Sequence, residues 1–158
     1  MGTTGYSLGL ALGVGFLADN LVLVLSVQVS AKLRAGFERQ LASLSFFLPA
    51  TGEERPWFGL VSVSAGVCEE ILFRGFLIRY FQAGPYHLAL ALALVLSCLF
   101  FGTAHLYQGI VGVLQTTLMG LIFAVLFLLT GSLVLPVLAH VATDLKLLFI
   151  LRKAPQRS

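Results

Sequence analysis

Charge is what this sequence has little of. Only 11% of its 158 residues are Asp, Glu, Lys or Arg, against about a quarter in soluble globular proteins. No Lys or Arg precedes Lys32, which argues against a cleavable secretory signal with its basic n-region. Tyr6 stands where an N-myristoylation motif starting at Gly2 wants Ser or Thr. Cys68 and Cys98 are the only cysteines, too few for a disulfide framework or a zinc knuckle. Lying in apolar segments, they are expected to be buried thiols acting as small hydrophobes. No basic stripe interleaves with aromatics, so no nucleic-acid partner is expected. Signatures of several membrane hydrolases are also missing. Leu88, Leu106 and Val141 follow the three histidines, so there is no HExxH of a zincin. Neither the GxSG of a rhomboid-type serine protease nor the GxGD of an aspartyl one occurs.

Apolar runs fill the space. The hydrophobic fraction is 58% and the mean hydropathy +0.97, which predicts an all-α, polytopic transmembrane helical bundle whose partner is the lipid bilayer. Taken against the ~20 apolar residues that cross a bilayer core, the runs predict five spans, at 6–30, 57–81, 88–106, 110–129 and 133–151. The stretch 37–50 is too short to span and is expected to lie in the interface as an amphipathic helix. A chain of this length leaves no room for a separate soluble domain, so 1–158 is expected to be a single membrane-embedded unit. Lys32, Arg34, Arg39 and Arg55 fall between spans one and two, and Arg152, Lys153 and Arg157 follow span five. The positive-inside rule then places the N-terminus outside and the C-terminus, a basic tail expected to be disordered, in the cytoplasm.

Against this background the run Glu69-Glu70-Ile71-Leu72-Phe73-Arg74 stands out. Each charge at mid-bilayer costs about 2.5–3.5 kcal/mol on insertion scales, so three together are not filler. Glu70 and Arg74 are one helical turn apart and can pair. Glu69 points about 100° away and has no such local partner, which leaves it open to general base or acid work. Span three ends in Phe101-Gly102-Thr103-Ala104-His105, and span five carries His140 and Asp144. His140 and Asp144 share one helix face, a spacing at which Asp144 could fix the imidazole tautomer. Peptide hydrolysis needs an activated water and a group to hold the developing oxyanion. Glu69 with His105 could serve the water, and His140 with Asp144 the oxyanion. A metal version would use Glu69, His105 and His140 as zinc ligands, and spacing alone does not choose between the two.

Less informative polar residues have plainer readings. Asp19-Asn20 in span one faces either the bundle interior or the chemistry. Gln115, Thr116 and Thr117 are expected to be packing glue, His87 a solvated turn residue, and Arg79 and Lys146 interfacial snorkellers. Gly9 with Gly13, Ala11 with Gly15, and Gly120 with Ala124 set small residues at four-residue spacing, which permits close helix approach.

Together the three polar clusters resemble the CAAX prenyl protease and bacteriocin-processing family, also called the Abi or CPBP family. EExxxR matches Glu69 to Arg74, with the FRG continuation in Phe73-Arg74-Gly75. FxxxH matches Phe101 to His105. The third motif, H with Asn or a similar residue after three intervening positions, matches His140 to Asp144, and Thr130-Gly131-Ser132-Leu133 before it is also similar. The catalytic core so delimited is 57–151. The resemblance implies a glutamic-type intramembrane endopeptidase, needing no cofactor, that cleaves a membrane-associated peptide or protein. The residue matching Glu69 would activate water, assisted by the one matching His105. Those matching His140 and Asp144 would stabilise the oxyanion, with Glu70 and Arg74 in support. Asp144 departs from the Asn of the eukaryotic prenyl proteases, and an ionised Asp accepts but cannot donate. The short chain points to a bacterial or archaeal cell membrane and away from a prenylated substrate. The competing readings are a zinc-dependent protease, a non-catalytic immunity or scaffold protein, and a proton-coupled carrier, for which the expected repeats are not evident.

Overall fold

Ser30, Pro49, Gly84-Pro85, Gly109 and Gly131 punctuate the chain, and the helices lie between them. The structure, a computed structural model, describes residues 3–41, 44 and 46–151. Helix α1 (Thr3–Val29) is followed at once by α2 (Ala31–Leu41), because the Ser30 hydroxyl accepts from the Leu33 amide at 3.3 Å and opens a new helix. Helix α3 (Glu54–Glu70) carries Pro56 in its first turn, where a missing N–H costs nothing. It continues without a break into a π-helical stretch (Ile71–Leu77) and α4 (Ile78–Ala83). Then come α5 (Leu90–Thr103), a 3₁₀ turn (Leu106–Gln108), α6 (Gly109–Thr130) and α7 (Val134–Ile150). Gly131 takes φ +66° and returns its N–H to Phe127 O at 2.8 Å, a left-handed cap that ends α6. All the regular structure among the described residues is helical.

Helix α7 packs against α1, α3 and α6, and α6 also packs against α1 and α5. Close approach depends on small residues. A Cβ on Gly66 would stand 2.6 Å from Val141 Cγ2, and one on Gly9 2.8 Å from Thr130 Cγ2. Phe123, Leu126 and Ala139 form a buried core flanked by Phe16, Met119 and Leu135. The last carbonyls of α7 are tied down from two sides. Arg55 donates to Leu151 O at 3.1 Å and to Leu148 O, and Gln28 donates to Phe149 O. These bonds satisfy carbonyls that a helix end leaves free and set the level of α7 against α1 and α3.

Two helical stretches, Thr3–Val29 and Leu106–Thr130, are long and apolar enough to cross a membrane. The remaining expected spans fall short by that measure for visible reasons. Helix α5 has 14 residues and α7 has 17, about 21 and 26 Å at 1.5 Å per residue, and the α3–α4 rod carries the Glu69–Arg74 charges.

Three expectations need correction. The helix placed at 37–50 lies instead at 31–41. Pro49 disfavours a helical Leu48, and Phe46 to Leu48 form a turn and bend in which Leu48 is buried. Ala42, Ser43 and Ser45 in that stretch, like the basic tail 152–158, lie outside the described residues. Cys68 is exposed, with only Cys98 buried, because α3 turns the stripe Ser62, Gly66 and Glu70 inward and Cys68 falls on the other side. Lys146 does not snorkel. Its Nζ donates to Asn20 Oδ1 at 2.9 Å, between α7 and α1.

Candidate active site

Glu70 and Arg74 pair as their spacing demands, Arg74 Nη1 donating to Glu70 Oε1 at 2.7 Å. Both are buried, at 0% and 1% exposure, so desolvation must be offset by further contacts. Arg74 Nη2 donates to Gly120 O at 3.0 Å, and the guanidinium lies 4.4 Å from the Phe101 ring centre and 5.5 Å from that of Phe123. A Cβ at Gly120 would come within 3.0 Å of Arg74 Nη2, so glycine there admits the arginine. Glu70 immediately precedes the π-helical stretch and Arg74 lies within it, an uncommon widening that recurs at functional sites.

The same Glu70 oxygen accepts from His140 Nδ1 at 2.8 Å. A carboxylate paired with Arg74 is an acceptor, so Nδ1 carries the proton and Nε2 is turned the other way. The expectation that Asp144 fixes this tautomer is therefore corrected. Asp144 Oδ2 lies 3.9 Å from Nε2, outside hydrogen-bond range. His105 is set in the same manner by the main chain, its Nδ1 donating to Phe101 O at 2.8 Å. That bond is what the FxxxH spacing encodes, since i and i+4 meet on one helical turn. Phe123 stacks on His140 with centroids 5.1 Å apart, and Phe101 meets it edge-on.

Glu69 stands where these constraints converge. Its Oε2 lies 3.8 Å from His140 Nε2 and 4.0 Å from His105 Nε2. That oxygen is shielded from solvent and has no direct hydrogen-bond partner among the described residues. Gaps of this size admit one water-sized oxygen bonded to both sides. They exceed the separation of about 3.4 Å between ligands of a tetrahedral zinc at 2.0–2.1 Å bond lengths. Among the described residues no group of three or more His, Cys, Asp or Glu is disposed to hold a metal ion. The donor types of Glu69, His105 and His140 suit zinc, but their spacing does not form its ligand sphere.

A cavity of about 490 Å³ opens on this cluster. Glu69, His105, His140 and Asp144 line it together with the apolar Phe46, Phe47, Trp57 and Val61. The turn after α2 reaches the site through Phe47, whose ring is 4.7 Å from that of Tyr107, which in turn lies 5.8 Å from His105. All six residues singled out in the sequence thus gather in one place. Sequence reasoning missed Gly120 and Phe123 on α6, for which the Gly120–Ala124 spacing was the available signal. Other residues stand apart. His87 is an exposed turn residue with φ +47°, and Thr116 bonds back to Gly112 O and Val113 O.

An all-helical protein with a buried ion pair, two oriented imidazoles and an unpartnered carboxylate on a cavity has the outline of a membrane hydrolase. Residues 51–145 match the family model described as type II CAAX prenyl endopeptidase Rce1-like, and the chain belongs to that family. It is accordingly a membrane protein, and endopeptidase is the activity that the family's description names. An Escherichia coli protein described as "Uncharacterized 24.3 kDa protein" is 37% identical over 90 residues, 56% of this chain. The chain spans 42% of the length of that relative. No solved structure matches it.

Proposed function

We propose that the chain is a glutamic-type intramembrane endopeptidase. The observation that carries this reading is Glu69 Oε2, buried and unpartnered, with two imidazole nitrogens at 3.8 and 4.0 Å on the edge of a cavity. A water held between Glu69 and His105 gives its proton to Glu69 and adds through oxygen to the scissile carbonyl. The oxyanion faces His140, which enters the step as the imidazolium, its Nε2 proton taken up beforehand from solvent through the cavity, and donates from Nε2 while Nδ1–H stays on Glu70. Both nitrogens are then protonated, with the Glu70 carboxylate that Arg74 pairs accepting from Nδ1. Collapse of the tetrahedral intermediate breaks the C–N bond, and Glu69 returns its proton to the leaving amine. Asp144, 3.9 Å from Nε2, leaves the donating to His140. Glu70 and Arg74 hold His140 in place.

The substrate in this reading is a membrane-associated peptide or protein cut within its chain. Lys and Arg are missing from the cavity lining among the described residues, while Glu54, Glu69 and Asp144 contribute carboxylates. A free C-terminal carboxylate on a substrate finds no Lys or Arg there. The five-span arrangement with N-terminus out and C-terminus in the cytoplasm belongs to the same proposal, with the α3–α4 rod, α5 and α7 crossing beside α1 and α6. Hydrolysis of quenched fluorescent transmembrane peptides by the purified, vesicle-reconstituted chain tests it. Cleavage by wild type and none by Glu69→Gln supports the reading. Equal cleavage by both overturns it, and an inert wild type favours a non-catalytic immunity or scaffold role.

A further inference from the structure

Asp19 is the only charged residue in α1, and the proposed chemistry does not use it. It lies ten residues from Val29 and sixteen from Thr3, about 15 and 24 Å along the helix. Its short side chain cannot reach either interface from there. Asn20 next to it turns inward, donating to Phe16 O and accepting from Lys146, so the nearby lysine serves the inside of the bundle. Asp19 itself is exposed on the outer surface and has no hydrogen-bond or ion-pair partner among the described residues.

It stands in a groove of about 500 Å³ between α1 and α6. Ala11, Gly15 and Asp19 repeat every four residues along one wall, and Leu121, Ile122 and Val125 form the other. Nothing lies within 4 Å of a Cβ built on Gly15, which leaves room for another backbone to approach closely, as small residues allow between membrane helices. An apolar groove that holds an unmatched carboxylate is complementary to an apolar helix bearing one cation.

We infer that the α1–α6 groove docks a transmembrane helix of another polypeptide through a Lys or Arg placed opposite Asp19. A second copy of this chain is the poorer occupant, because α1 offers no cation at that depth and a two-fold pairing would oppose two carboxylates.

The test uses the full chain, acceptor-labelled, in phosphatidylcholine vesicles with either of two donor-labelled peptides. One is a Leu/Ala transmembrane helix with a single central Lys, and the other has Leu at that place. Energy transfer should show the Lys peptide binding about tenfold tighter, the scale of one strong interhelical polar bond. Asp19→Asn should bring it down to the level of the Leu peptide, Asp19→Glu should keep most of the difference, and Gly15→Leu should weaken both peptides. Thermal midpoints of the variants, unchanged for substitutions at exposed positions, show that the fold is kept. Equal binding of the two peptides to wild type, or no effect of Asp19→Asn, overturns the inference. Self-association of labelled copies that is lost in Asp19→Asn overturns it in favour of an interface between copies.

Discussion

Glu70 Oε1 bonds both Arg74 Nη1, at 2.7 Å, and His140 Nδ1, at 2.8 Å. One oxygen thus joins a structural ion pair on the α3 rod to an imidazole on α7, seventy residues away. The geometry ties the stability of the bundle to the orientation of the site, and it separates the two neighbouring glutamates by task.

Arg74→Met should therefore destabilise strongly, by about 3–5 kcal/mol, because it leaves Glu70 buried without its cation. Glu70→Leu combined with Arg74→Met should cost clearly less than the sum of the single changes, since both members of one network are removed. Thermal or denaturant unfolding in detergent measures this. Additive losses would mean that the pair is not coupled.

Gly120→Val should disrupt the same pocket without replacing a charged group. The new side chain meets Phe101 and Arg74, with its Cβ alone at 2.9 and 3.0 Å from them. Overpacking of this kind costs about 1–3 kcal/mol, and displacement of Arg74 should lower peptidase activity with it. An unfolding midpoint equal to wild type would show that the α6 contact is dispensable.

Asp144→Asn should keep substantial activity, because Glu70 and not Asp144 sets the His140 tautomer. Purified protein should carry far less than one zinc per chain and should survive a chelator. Stoichiometric zinc that is lost together with activity in Asp144→Asn would point instead to a metal site, where loss of an orienting partner costs about 10–100-fold.

Cysteines placed at Arg39 and Gln156, in a chain whose Cys68 and Cys98 have been replaced, should react with an impermeant thiol reagent from the cytoplasmic side alone. Labelling from opposite faces would contradict five spans.

Much of this was legible in the sequence where the relevant contacts are local. Hydropathy located α1, α6 and α7 to within a few residues, and one-turn spacing gave the Glu70–Arg74 pair. What stayed hidden depends on distant partners. The Glu70–His140 bond could not be read from spacing, so Asp144, the nearer acidic residue in sequence, looked like the orienting group. Phe123 looked like any apolar residue of α6, and Lys146 like a snorkelling end, until α1 brought Asn20 beside it. The segment 46–48 read as an interfacial helix because its apolar residues suit a membrane surface as well as they suit a cavity wall.

The most direct measurement is cleavage of a transmembrane peptide substrate by Glu69→Gln beside wild type, with unfolding midpoints recorded for both. The amide keeps the shape of the side chain but cannot take a proton from water. Activity should fall by at least about 10²-fold while the midpoint stays put, because Glu69 Oε2 makes no direct hydrogen bond among the described residues. Near wild-type cleavage by a folded Glu69→Gln would contradict the assignment of Glu69 as the base.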